Sequence, residues 1–149
     1  MKLKHGTWVV VADGQKYLLL RNKLDTEFID LRVIGMEEIE NPPARELSSD
    51  SAGRRYGAGN AGASGNSVWA ETDWHKVEKQ RFAQHLAEKL ETWADKGLYE
   101  DIVIIADAHS LGQLRAAYGG KTKTRLAGEI AKDLTNMPVN KIEAAVTAA

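Results

Sequence analysis

The chain of 149 residues contains no cysteine. That removes disulfides, thiol nucleophiles, thiolate zinc sites and iron–sulfur clusters together. Net charge is nearly absent too. Twenty Lys and Arg against 21 Asp and Glu leave −1, which excludes a globally basic nucleic-acid coat and a strongly acidic tail, though not a local patch. Long hydrophobic runs are missing. No segment approaches the roughly 20 apolar residues of a membrane span, so no membrane partner is expected. The apolar stretch after the basic start Met1-Lys2-Leu3-Lys4-His5 stops at Asp13-Gly14. It reads as a strand entering a turn, not as a secretory signal of roughly 7–15 apolar residues, and the expected location is cytoplasmic. Also absent are a Gly-x-x-x-x-Gly-Lys-Ser/Thr phosphate loop, a His-Glu-x-x-His zinc motif and a Gly-x-Ser-x-Gly elbow. What remains has the length and the 43% hydrophobic content of one soluble domain over 1–149.

Trp8-Val9-Val10-Val11-Ala12 is β-branched and aromatic and reads as a buried strand. Asp13-Gly14 is a hairpin turn, Tyr17–Arg21 the returning strand, and Phe28–Ile34 a third. Composition then shifts. From Ser48 to Ser67, 16 of 20 residues are Gly, Ala, Ser or Asn, too little apolar surface to offset the entropy of ordering. A mobile loop over about 42–72 is expected. The exceptions within the Gly/Ala/Ser/Asn stretch include Arg54 and Arg55. A long helix should start near Thr72-Asp73, bury Phe82, Leu86, Leu90 and Trp93, and end at Gly97. Ile102–Ala106 is continuously apolar, as in a central strand covered on both faces. Ser110 is positioned to cap a short helix through Leu114, closed by Gly119-Gly120. Thr124–Ala131 reads as a strand, although Leu126, Ile130 and Leu134 also fit helical spacing. Pro138 opens a last helix with Ile142 and Val146. The order β-β-β, loop, α-β-α-β-α gives an α/β fold of ribonuclease H-like type: a five-stranded mixed sheet flanked by helices.

Several segments together carry a family resemblance. They are Trp8-Val9-Val10-Val11-Ala12-Asp13-Gly14, Arg45…Asp50…Gly53-Arg54, Arg81-Phe82-Ala83…Leu86-Ala87…Leu90-Glu91, Leu111-Gly112…Leu114-Arg115 and Glu129…Lys132-Asp133-Leu134-Thr135…Pro138. In this order, over nearly the whole chain, they resemble the bacterial host attachment protein family. The resemblance implies a role in attachment to host cells. The architecture is similar to the central domain of eukaryotic and archaeal class-one peptide-chain release factors. There the loop before the long helix carries Gly-Gly-Gln, which enters the peptidyl-transferase centre. Here that loop reads Tyr56-Gly57-Ala58-Gly59-Asn60-Ala61-Gly62-Ala63-Ser64-Gly65-Asn66, without a Gly-Gly pair or a Gln. Peptidyl-tRNA hydrolysis does not carry over. What the resemblance leaves open is binding to a ribosome or to structured RNA.

Three sets of residues are candidates. Arg45, Arg54 and Arg55 with the loop's amides suit phosphate binding; the alternative is a surface loop whose arginines pair with Glu46 and Asp50. Arg115, Lys121, Lys123 and Arg125 form a second basic group for a phosphate backbone, or a solvated face. Asp13 and Asp107 end strands that are neighbours in a ribonuclease H-like sheet. A pair of that kind holds Mg²⁺ in two-metal phosphodiester cleavage, with Glu78 as a third acid; otherwise they are a turn residue and a strand end. Trp69 and Trp74 either anchor the loop exit or stack bases. The leading expectation is a non-catalytic module without cofactor that engages RNA or the ribosome. The alternatives are a metal-dependent nuclease or phosphohydrolase, and a protein-binding factor in adhesion regulation.

Overall fold

The computed structural model describes residues 1–39 and 63–149, with side chains over 1–39 and 79–149. Arg45, Arg54, Arg55 and most of the expected loop lie outside these residues. So do the side chains of Trp69, Trp74, His75 and Glu78.

Three strands open the chain: β1 (Trp8–Ala12), β2 (Lys16–Asn22) and β3 (Leu31–Glu38). After α1 (Ala63–Asp95) come β4 (Ile102–Ala106), α2 (Ala108–Ala117), α3 (Gly120–Arg125), β5 (Leu126–Ala131) and α4 (Val139–Ala148). The sheet order is β3-β2-β1-β4-β5. β1, β2 and β3 form an antiparallel meander, while β1, β4 and β5 run parallel. All five residues of β1 and of β4 are buried, because these central strands are covered on both faces. One face packs Trp8, Val10, Tyr17, Ile102 and Ile104 against Phe82, Leu86 and Leu90 of α1 and Leu111 and Leu114 of α2. The other packs Val9, Val11, Leu20, Val103 and Ile105 against Ile142 and Val146 of α4. Gly97, at φ 72°, ends α1; its N–H donates to Ala94 O and that of Leu98 to Trp93 O.

Several boundaries differ from expectation, and β3 also runs on to Glu38, past the expected end at Ile34. The long helix starts at Ala63, not near Thr72, so residues 63–72 belong to it and not to a loop. The composition argument counts alanine with Gly, Ser and Asn, whereas alanine is the strongest helix former. β3 starts at Leu31, not Phe28. Asp25 Oδ1 accepts from the N–H groups of Glu27 (3.0 Å) and Phe28 (3.2 Å), which holds that stretch in a turn. The strand expected from Thr124 starts at Leu126, after a helical turn capped by Glu91. The short helix at 108 is capped by Asp107, whose side chain accepts from Ser110 N; Ser110 is the donor, not the cap. That helix ends at Ala117, and Gly119 instead precedes α3.

Candidate functional site

The parallel strands deliver chain ends to one edge of the sheet. Ala12 and Ala106 are partners in the β1–β4 register, so the residues that follow, Asp13 and Asp107, leave the sheet side by side. Asp133 arrives two residues after β5. In open α/β sheets the carboxyl edge of parallel strands is where ligands commonly bind. Here that edge carries a cleft of about 270 Å³ lined by Asp13, Asp107, Asp133, Lys79, His109 and Ser110 among others. The Lys79 stem lies over Gly14, where an added Cβ would come within 2.8 Å of Lys79 Cγ. A wider groove of about 460 Å³ runs on between α1 and α2, past Gln80, Gln84, Gly112 and Gln113, and shares His109.

The structure thus brings Asp13 and Asp107 together and adds Asp133 and Lys79, which sequence reasoning missed. Only the sheet order places β5 beside β4 and so reveals Asp133. Each acid already has a local task. Asp13 Oδ1 accepts from the N–H groups of Gln15 (2.7 Å) and Lys16 (2.8 Å), closing the β1–β2 turn. The Thr135 hydroxyl lies 3.0 Å from Asp13 Oδ2 and 2.9 Å from Asp133 Oδ1; its one proton serves one carboxylate at a time. Asp107 Oδ2 accepts from Ser110 N at 3.1 Å. Burial alone would raise the Asp107 carboxyl, but the Ser110 hydrogen bonds outweigh it and hold the group below its ordinary value. Among the described residues, no three His, Asp or Glu side chains converge in metal-binding geometry.

The second basic group is spread over α2 and α3 and is mostly engaged. Arg115 pairs with Glu129 at 2.8 Å. Lys121 pairs with Asp95 of α1. The Arg125 guanidinium donates to Tyr99 O and lies 6.0 Å from the Tyr99 ring. The Lys123 side chain is exposed and makes no hydrogen bond or ion pair within the described residues. Exposed pairs of this kind contribute little to stability, so Arg115 and Lys121 can exchange partners at small cost.

A further polar cluster has no contiguous motif in the sequence. Glu37 of β3 accepts from Tyr17 OH (3.0 Å) and Lys89 Nζ (2.8 Å), and His85 Nε2 lies 3.2 Å from both carboxylate oxygens. The Lys89 hydrogen bond is the main reason that the Glu37 carboxyl lies below its ordinary value. These contacts tie β3 to α1, the two elements that flank residues 40–62. Separations of 48 and 52 residues hide the pairing; the alternation of β3 and the helical period of α1 are its only signals.

Residues 6–146 match the model of bacterial archaeo-eukaryotic release factor family 12, and the chain belongs to that family. No match is found among curated proteins. Among the described residues, no helix is long and apolar enough to cross a membrane.

Proposed function

We infer that the chain is a non-catalytic binding module related to the release-factor central domain and akin to the host attachment family. In this reading it has a ribonuclease H-like fold in one domain and acts in the cytoplasm on a ribosomal or structured-RNA partner. The observation that carries the reading is family membership over residues 6–146 in a chain whose only Gly-Gly pair is Gly119-Gly120, followed by Lys121 and not Gln. The relation to release factors is kept while the hydrolytic tripeptide is missing, which leaves binding.

Arg45, Arg54 and Arg55, in the segment joining β3 to α1, are the assigned primary contacts. Arg115, Lys121, Lys123 and Arg125 form a secondary surface in which the Lys123 ammonium is the readiest to meet phosphate. No cofactor is needed. Filter binding of purified ribosomal RNA tests this. Arg54→Ala/Arg55→Ala is expected to weaken binding and to flatten its dependence on salt, because fewer counterions are released. Binding unchanged in that variant removes the loop's role. A partner that survives nuclease treatment would instead favour protein interaction in adhesion regulation.

The meeting of Asp13 and Asp107 in one cleft favours one second reading, a Mg²⁺-dependent nuclease or phosphohydrolase. It requires these carboxylates to exchange their turn and cap hydrogen bonds for a metal. Phosphodiester cleavage with Mg²⁺ that disappears in Asp107→Asn would support it; activity equal to that variant's background would end it.

A further inference from the structure

Among the described residues, seven large apolar side chains are exposed, and five of them, Leu24, Phe28, Val33, Ile34 and Met36, fall on β3 or its approach. Met36 is 68% and Val33 48% exposed. Among the described residues β3 is an edge strand whose one strand partner is β2, and only its first N–H, that of Leu31, is taken from outside the sheet, by Glu143 Oε2 at 2.8 Å; an edge of this kind offers unpaired backbone groups to another strand. Bulges often blunt such edges. β3 has one, and it acts differently here. Leu20 opposes Val33 and Leu19 opposes Gly35, so Ile34 is an extra residue. The extra residue shifts the alternation. Val33 opposes Leu20 and Met36 opposes Leu18, both on the α4 side of the sheet. Val33 and Met36 therefore share a face, although their positions are three apart along the strand. Arg32 and Glu37 share the opposite face, since they oppose Arg21 and Tyr17, whose β1 partners Trp8 and Ala12 belong to the α1-side core.

We propose that β3 pairs antiparallel with β3 of a second copy of this chain, about a two-fold axis between Ile34 and Gly35, so that Val33 of each copy faces Met36 of the other. The same register sets Arg32 of each copy against Glu37 of the other. A regular strand excludes this register, because residues an odd number apart would lie on opposite faces. The charges are self-complementary. Arg21 and Arg32 face each other across β2 and β3, where Asp30 pairs with Arg32, and like charges in that position disfavour the sheet. An incoming carboxylate relieves them. Glu37 has three donors on its two oxygens, which leaves room for one more. Joining the two five-stranded sheets edge to edge would bury the Val33 and Met36 patch.

The absence of native cysteine permits a direct test on the full chain. Val33→Cys and Met36→Cys, both at exposed positions, are prepared separately. In this register each introduced thiol is too far from its own symmetry mate for a disulfide, while the thiol of one variant directly opposes that of the other across the two copies. On oxidation, an equimolar mixture is expected to give a disulfide-linked heterodimer, and neither variant alone a linked homodimer. Sedimentation equilibrium of the unmodified chain should show a dimer, and Arg32→Glu should weaken it about tenfold, since symmetry alters two charge pairs at once. A chain that stays monomeric through the millimolar range overturns the proposal. A dimer whose mixed variants do not cross-link overturns it as well.

Discussion

Glu91 Oε1 accepts two hydrogen bonds from Thr122, one from its backbone N–H at 2.9 Å and one from its hydroxyl at 3.0 Å, while Glu91 Oε2 accepts from Lys121 N at 3.2 Å. The carboxylate is held below its ordinary pKa chiefly by the Thr122 N–H. A side chain of α1 thus satisfies the otherwise orphaned amides at the start of α3. Glycine at 119 makes the approach possible, because a Cβ there would overlap the Glu91 carboxylate. Gly119→Ala is expected to push the Glu91 carboxylate off its hydrogen bonds to Lys121 and Thr122 and to lower stability by about 0.5–2 kcal/mol through the lost cap, measured by urea unfolding. Gly120→Ala, whose Cβ meets nothing within 4 Å, should be far milder.

Asn22 is fully buried and knits three segments. Its Nδ2 donates to Leu3 O at 3.0 Å, and its Oδ1 accepts from Asp30 N at 3.0 Å and Leu24 N at 3.3 Å. Asn22→Ala removes the partner of the buried Leu3 carbonyl and of the partly buried N–H groups of Leu24 and Asp30; a buried group left unpaired costs about 1–3 kcal/mol. A marked fall in Tm in a thermal scan is the expected result; a loss within error would mean that water replaces the amide.

Stability should depend on Glu37 in a defined direction with pH. Its carboxyl is depressed in the folded chain, so its contribution is complete above the unfolded value of about 4.3 and is lost as pH falls through the folded value. The stability gap between wild type and Glu37→Gln should be widest near neutrality and close in acid. Urea midpoints at several pH values read this directly. A gap that widens in acid would contradict the assigned role.

Asp107 is assigned a capping role. Asp107→Ala should cost about 0.5–2 kcal/mol, whereas Asp107→Asn keeps the acceptor for Ser110 N and should be nearly neutral. Guanidinium unfolding of both variants separates them. Equal large losses would show that the charge, not the cap, matters.

How much of this is readable in the sequence depends on the range of the forces involved. Continuous apolar runs mark the bounds of β1 and β4, and the helical stripe Phe82–Leu86–Leu90 identifies the buried face of α1. Both are patterns that a strand or helix carries in itself. Pro138 precedes α4 as expected. The start of β3 is hidden because the Asp25 side chain claims the amides of Glu27 and Phe28. The turn of α3 is hidden because its cap comes from Glu91, 31 residues before Thr122. The Asp13–Asp107 approach follows from the strand order; Asp133 and the Glu37 cluster need the folded sheet. Arg45, Arg54 and Arg55 stand as sequence-based assignments.

Co-sedimentation with ribosomes, at low and at high salt, for wild type and Arg54→Ala/Arg55→Ala tests the central claim most directly. The account predicts that the wild-type chain pellets with ribosomes at low salt, is released at high salt, and stays in the supernatant when both arginines are replaced. A wild-type chain that remains in the supernatant at low salt would contradict it.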